Sequence, residues 1–195
     1  MRRFHSYGPI DIDEHYYAPR KELIERAYTQ LIGKNPKKGG HYITVWAPRQ
    51  TGKTWIMQQI LHRLQNDSHF DVLKINLQHL KDQENANQVI MSIAEAIGEK
   101  LGKAFTGINT GEKFQNIFKK DVLDKPLILI LDEFDALVEE GINAVVGAFR
   151  NIYITGMDER DKPTDQKTYL LHGIFPPGTF SSFTWFIPKP LLFYR

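Results

Sequence analysis

A glycine, a lysine and a threonine lie together in WAPRQTGKTW (46–55), between two apolar segments. Residues 47 to 54 fit the phosphate-binding pattern G-x-x-x-x-G-K-S/T, with alanine in place of the first glycine. Gly52 lets the backbone turn so that amide hydrogens point at phosphate oxygens. Lys53 would reach the β- and γ-phosphates, and the Thr54 hydroxyl would bind Mg²⁺. The residues of this segment that are predicted to bind the nucleotide are Ala47, Pro48, Arg49, Gln50, Thr51, Gly52, Lys53, Thr54 and Trp55.

Two neighbouring acids follow an apolar run further along the chain, in LILILDEFD (127–135). Carboxylates at the end of a buried strand can face a nucleotide bound at the same edge of a sheet. Asp132 is predicted to hold Mg²⁺, usually through water. Glu133 is predicted to orient or deprotonate the attacking water. A third acid, Asp135, is interpreted as a helix N-cap.

The elements around these residues alternate between strands and helices. The apolar segment before the lysine is rich in β-branched and aromatic residues, and the segment after it has helical spacing. The run LILIL is apolar at every position, which indicates a strand buried on both faces. Strands are predicted over 41–47, 71–77, 125–135 and 168–175, and helices over 20–32, 53–65, 85–105, 111–122 and 141–153. This order predicts an α/β fold, a three-layer α/β/α sandwich with a central, mostly parallel sheet.

Composition excludes several classes of protein. The chain has 195 residues, a net charge of +2 and no cysteine, so disulfides and thiolate chemistry are excluded. No uncharged apolar run approaches the roughly 18 residues of a membrane span. The N-terminus lacks the apolar core of a signal peptide, so a cytoplasmic location is expected. The near-zero net charge gives no indication of nucleic acid as a partner.

Taken together, the two motifs make the chain resemble the additional-strand P-loop ATPases. The resemblance is specifically to AAA-like ATPases of bacteria and archaea and to the overlapping STAND-type signalling NTPases. APRQTGKT and LILILDEFDAL carry the resemblance. HYYAPRKELIERAYTQL is similar to the segment that precedes the P-loop in those proteins, which places Tyr17 near the adenine. The resemblance implies ATP and Mg²⁺ as cofactors, Lys53 and Glu133 as catalytic residues, and Thr54 and Asp132 as metal ligands. It also implies a homo-oligomer or further domains of a larger signalling protein.

The resemblance divides the chain into three parts. Residues 1–40 would lead into the nucleotide site, residues 41–175 would form the ATPase core, and residues 176–195 would be an aromatic and proline-rich tail. The family has a sensor residue after the second motif, for which Thr168 and His172 are candidates, and an arginine finger, for which Arg150 and Arg160 are candidates. Prolines in the tail do not suit the family's helical lid, so a truncated chain is one interpretation and an extended covering tail is the other.

Two functions remain open from the sequence. The first is an ATPase that converts ATP and water to ADP and phosphate and serves as a switch or motor. The second is a non-hydrolysing nucleotide-binding or interaction module, a fragment of a larger signalling ATPase. Both predict ATP binding, and turnover distinguishes them.

Overall fold

The structure of the chain is a computed structural model that describes residues 2–4, 11, 13–33, 42–46, 52–159, 172–175 and 191–192. Helices α1 to α5 span Lys21–Ile32, Lys53–Gln65, Ala86–Leu101, Gly111–Phe114 and Glu139–Asp158. Strands β1 to β5 span Tyr42–Trp46, Asp71–Asn76, Leu127–Asp132, His172–Phe175 and Leu191–Leu192. Short 3-10 helices lie at Gln78–Leu80, Gln115–Phe118 and Phe134–Ala136.

The five strands form one parallel sheet in the order β2-β3-β4-β1-β5. The strand that ends in Asp132, β3, is therefore separated from the P-loop strand β1 by β4. All parallel strands have their carboxyl ends at one edge, so the ends of β1 and β3 open on the same side. The predicted parallel α/β fold is confirmed, with helices on both faces of the sheet.

Alternation along β3 assigns its side chains to two apolar clusters. Leu127, Leu129 and Leu131 pack in the cluster that contains residues of α3, α4 and α5. Ile128 and Ile130 pack in the cluster that contains residues of α1 and α2. Every residue of β3 is buried, which agrees with the expectation from its unbroken apolar sequence.

Helix α1 is fastened to α2 by polar contacts on the surface. The Arg63 guanidinium makes a bidentate pair with the Glu25 carboxylate and lies over the Tyr28 ring, 4.0 Å from its centroid. The hydrogen bond from Arg63 lowers the pKa of Glu25. The Tyr28 hydroxyl donates to Asp67 Oδ2 at 3.3 Å. These contacts fix the helix that follows Tyr17 against the helix that follows the phosphate-binding loop.

On the opposite face of the sheet, one tyrosine of β1 contacts helix α5. The ring of Tyr42 stacks on Phe149 of α5, and its hydroxyl donates to the Phe149 carbonyl at 3.4 Å. Burial raises the pKa of Tyr42. On the other face of the sheet, Ile43 and Val45 of β1 pack in the cluster that contains residues of α1 and α2, so β1 is held from both sides.

Several predicted boundaries were wrong for local reasons. Helix α3 ends before Gly102, which has a φ of 64°, rather than at residue 105. The predicted helix over 111–122 is one turn, α4, followed by a 3-10 turn that ends where Lys119 becomes extended. Helix α5 continues to Asp158 instead of ending at residue 153. Within the described ranges, no helix combines the length and apolar character needed to cross a bilayer.

The tail is described only at β5. Leu191 and Leu192 pair in parallel with Val45 and Trp46 and make β5 the edge strand beside β1. The remainder of residues 176–195 lies outside the described residues. The division of the chain at residues 40 and 175 stays a prediction.

Candidate functional site

The start of α2 has the backbone that the phosphate-binding pattern requires. Gly52 has a φ of 83°, in the left-handed region that favours glycine. Among the described residues, no atom would lie within 4 Å of a Cβ at this position, so it is the backbone conformation that calls for glycine. The Ile56 amide donates to the Gly52 carbonyl at 3.0 Å, which starts the helix. The chain thus turns sharply into α2 at the predicted position.

The N-terminus of α2 differs from that of α3. Asn85 caps α3, because its Oδ1 accepts hydrogen bonds from the Asn87 and Gln88 amides at 3.0 and 3.2 Å. Among the described residues, no side chain caps α2 in this way. Unpaired amides and the helix dipole favour an anion at such an end. Lys53 begins this helix, and Thr54 in its first turn is exposed.

Asp132 is a buried acid at the carboxyl end of β3. Its side chain is 9% exposed, and it follows Ile128 and Ile130 on the face covered by α2. Oδ1 accepts from the Glu133 amide at 3.2 Å. Oδ2 lies 2.7 Å from the Lys74 ammonium. A buried carboxylate needs charged or hydrogen-bonding partners of this kind.

Lys74 is a site residue that the sequence interpretation missed. It lies on β2 opposite Ile130, and Asn76 lies opposite Asp132. The signal was present in DVLKINL, where a lysine occupies the alternate position between Val72 and Asn76. Recognising its meaning required the register of β2 against β3, which joins residues more than fifty positions apart.

Glu133 turns away from the strand immediately after Asp132. It is exposed, and its φ of 56° makes it the only non-glycine residue with a positive φ among those described. Such backbone strain persists where the surrounding structure fixes the chain, and it concentrates at functional sites. The bend allows two adjacent residues to present one buried and one exposed carboxylate.

Tyr17 and Trp55 form an aromatic pair beside the start of α2. Their ring centroids are 5.5 Å apart in an edge-on arrangement, and both residues are half-buried. The Trp55 indole N–H is buried, and no acceptor for it occurs in the described part of the chain. Tyr17 and Trp55 were both predicted to bind the nucleotide. They lie far apart in the sequence, and the structure brings them together.

Other predicted residues are placed differently or lie outside the described ranges. Asp135 lies within the 3-10 turn Phe134–Ala136, so its interpretation as a helix N-cap was wrong. His172 begins β4 opposite Ile128, four residues before the carboxyl end of β3, which does not suit a sensor at that edge. Arg150 is exposed on α5. The predicted site residues that lie outside the described ranges are Ala47, Pro48, Arg49, Gln50, Thr51, Arg160 and Thr168.

The oxygen donors present suit Mg²⁺ together with a nucleotide. Asp132 offers a carboxylate and Thr54 a hydroxyl, which are hard ligands of the kind that Mg²⁺ prefers. Within the described residues, His, Cys, Asp and Glu side chains do not gather in groups of three or more that could hold a metal alone. A metal here would take its remaining ligands from phosphate and water, as is common for Mg²⁺.

The curated relatives found by sequence comparison are replication proteins. The chain is 28% identical over 123 residues to the ORC1-type DNA replication protein 1 of Sulfurisphaera tokodaii, covering 62% of this chain and 29% of that protein. It is 27% identical over 123 residues to the ORC1-type DNA replication protein of Methanosphaera stadtmanae, covering 59% and 32%. The chain thus spans about a third of the length of these relatives.

Solved structures with a similar fold include proteins of the same kind. The structure of Drosophila ORC bound to DNA matches with a TM-score of 0.55 and 17% identity, covering 88% of this chain and 41% of that one. The Aeropyrum pernix ORC2 protein with ADPNP and ADP matches with a TM-score of 0.50 and 13% identity, covering 82% and 41%. At these identities the likeness supports the fold alone.

These findings correct the prediction that nucleic acid is not indicated as a partner. The curated relatives are named for DNA replication, and a structural neighbour was solved with DNA. The prediction was wrong because it relied on a net charge of +2, which averages over the whole surface. DNA contact depends on local basic groups that face phosphates.

A family model described as the AAA domain matches residues 37–163, from before the phosphate-binding loop to beyond α5. The match includes β1, α2 and β3, which carry both nucleotide motifs. It covers more than half of the 195 residues. The chain therefore belongs to the AAA domain family and is an ATP-binding P-loop ATPase domain.

Proposed function

We propose that this chain binds Mg·ATP where the carboxyl ends of β1 and β3 face the start of α2, and that it hydrolyses the nucleotide. The observation that carries the proposal is the burial of Asp132 on the sheet face covered by α2. A carboxylate is costly to bury, so its place at the end of an otherwise apolar strand calls for a function.

In this proposal the phosphates lie against the loop from residue 47 to residue 52 and the N-terminus of α2. Lys53 contacts the β- and γ-phosphates, and Thr54 and Asp132 hold the Mg²⁺, with Asp132 acting through water. When bound, Mg²⁺ would neutralise charge on the phosphate oxygens. Tyr17 and Trp55 lie near the adenine, where aromatic rings offer an apolar contact.

Glu133 acts as the general base. It accepts a proton from water as the water oxygen attacks the γ-phosphorus, and the bond from that phosphorus to the bridging oxygen of ADP breaks. The exposed position of Glu133 next to buried Asp132 supports this division of roles. An exposed carboxylate can meet water, while a buried one is fixed in place.

Phosphate release and nucleotide affinity, measured on wild type and Glu133→Gln, test the proposal. The amide retains the size of the side chain and cannot accept the proton, so ATP binding should persist and turnover should be lost. Turnover of Glu133→Gln at the wild-type rate would contradict the assignment of the base. Wild-type binding without turnover would instead support the non-hydrolysing module.

We further propose that the ATPase belongs to a DNA-associated protein of the ORC1 type and acts there as a nucleotide switch. The support is the likeness to ORC1-type DNA replication proteins over 123 residues. Anisotropy of a fluorescently labelled duplex, titrated with the chain and ATP or ADP at two salt concentrations, tests it. We expect salt-sensitive binding that depends on the nucleotide, and equal anisotropy with and without protein would contradict it.

The STAND-type subclass, a truncated C-terminus, a cytoplasmic location and a homo-oligomer or larger signalling protein stay predictions. The ORC1-type relatives favour assignment within the AAA-like group over the STAND type. Analytical ultracentrifugation with and without ATP would test the oligomer.

A further inference from the structure

The carboxylate of Asp132 already has a partner on each oxygen. Oδ2 lies 2.7 Å from Lys74 Nζ, and Oδ1 accepts the Glu133 amide hydrogen at 3.2 Å. The Asp132 side chain is 9% exposed and that of Lys74 is 27% exposed. The ion pair is therefore shielded from bulk water. Attraction between charges is stronger in such a shielded position than at an open surface.

Sheet geometry makes this pair a fixed feature of the fold. The parallel register places Lys74 opposite Ile130 and Asn76 opposite Asp132. Residues of alternate position share a face, so Lys74 and Asp132 lie on the same side of the sheet, diagonally across two hydrogen-bonded strands. The ladder continues past the strand end, since the Leu77 amide donates to the Asp132 carbonyl at 3.0 Å.

Mg²⁺ and the Lys74 ammonium would compete for the carboxylate of Asp132. An acid with a lysine in contact has part of its charge neutralised, and an incoming Mg²⁺ meets repulsion from the ammonium. In addition, the ammonium stabilises the metal-free fold, because an unpaired buried carboxylate is strongly unfavourable. The two effects act in the same direction: both favour the metal-free state of Asp132.

We propose that Lys74 is a positioning residue that holds Asp132 in the metal-free state and raises the Mg²⁺ concentration needed at the nucleotide site. The inference rests on the proposed function, in which Asp132 takes part in binding Mg²⁺. Lys74 acts through Asp132, so ATP affinity in the absence of Mg²⁺ does not depend on it.

The test is the Mg²⁺ dependence of ATP affinity for wild type and Lys74→Met, with Mg²⁺ varied and EDTA as the metal-free condition. Methionine keeps the length of the side chain without its charge. We expect ATP affinity in EDTA to stay within about twofold, and the midpoint Mg²⁺ concentration to fall about three- to tenfold, the range for the net contribution of one hydrogen bond of ordinary strength. An unchanged or raised midpoint would overturn the proposal.

Lys103→Met is the matched control. Lys103 Nζ lies 2.9 Å from Asp124 Oδ2, and the Lys103 side chain is 33% exposed, so the distance and the exposure of the lysine are close to those of Lys74, whereas the Asp124 side chain is 83% exposed. Asp124 precedes β3, so this pair is at the amino end of the strand, and Asp132 is at the carboxyl end. The control should leave the Mg²⁺ midpoint at the wild-type value.

Two further variants separate positioning from folding. Lys74→Arg keeps the charge and should keep the wild-type midpoint, whereas a midpoint as low as that of Lys74→Met would contradict the charge argument. In an Asp132→Asn background, Lys74→Met should no longer shift the midpoint, because its partner is absent. If Lys74→Met does not fold, Lys74→Gln takes its place with the same expectation. Absence of ATP binding by wild type would instead refute the proposed function itself.

Discussion

The two faces of β3 end differently. On the face of α3 to α5, the leucines at alternate positions are followed by Phe134, which is buried in the same cluster. On the face of α1 and α2, Ile128 and Ile130 are followed by Asp132. One face is apolar to its end, whereas the other changes from apolar to charged at the edge where parallel strands present ligands.

This difference indicates that the two faces of the sheet have different roles. The face of α3 to α5 supplies packing that holds the strand in place, and the face of α1 and α2 carries the groups that we propose to meet the nucleotide. Substitutions on the first face should therefore lower stability, and substitutions at the edge of the second should change binding more than stability. Three predictions test this comparison, from the largest expected effect to the smallest.

Phe118→Ala should produce the largest loss of stability. Phe118 is fully buried on the face of α3 to α5 and packs edge-on against Phe114, with ring centroids 5.4 Å apart. Truncating a buried phenylalanine costs about 3–5 kcal/mol in the free energy of unfolding. Denaturant unfolding should show this loss, while the folded fraction retains wild-type ATP affinity. Phe4→Ala, at a side chain 88% exposed, should stay within about 0.5 kcal/mol.

Gly52→Ala should have a smaller effect on stability and a clear effect on binding. The new methyl group meets no atom of the described residues within 4 Å, and holding alanine at a φ of 83° costs about 1–2 kcal/mol. Relief of that strain would move the amides at the start of α2 away from the phosphates. Chemical unfolding and ATP titration on the same variant should show both changes. Wild-type ATP affinity would argue against a phosphate cradle at this turn.

Asn85→Ala should lower stability by about 1 kcal/mol and leave ATP affinity unchanged. Asn85 caps α3, on the face that we assign to packing, through two amide hydrogen bonds. Thermal unfolding in the presence and absence of ATP would measure the loss and show whether the ATP-induced stabilisation remains. A reduced stabilisation by ATP would contradict the separation of the two faces.

Sequence reasoning reached the parallel fold and the motif positions because both depend on local patterns. The all-apolar LILIL predicts a strand buried on both faces, and Gly52 before a helical pattern predicts the turn into α2. The end of α5 was less predictable, because tertiary packing decides how far a helix continues, whereas α3 ends before Gly102, a local stop signal that the prediction did not use. Lys74 could not be assigned, since its contact with Asp132 depends on strand register.

The measurement that tests the central claim most directly is calorimetric titration of Mg·ATP into wild type, Lys53→Ala and Lys103→Ala. Lys53 begins α2 beside Gly52, and a charge-assisted contact to phosphate contributes roughly 1.5–3 kcal/mol. Lys53→Ala should therefore bind at least about tenfold more weakly than wild type, while Lys103→Ala should bind with wild-type affinity. Equal affinity of wild type and Lys53→Ala would contradict the nucleotide site proposed here.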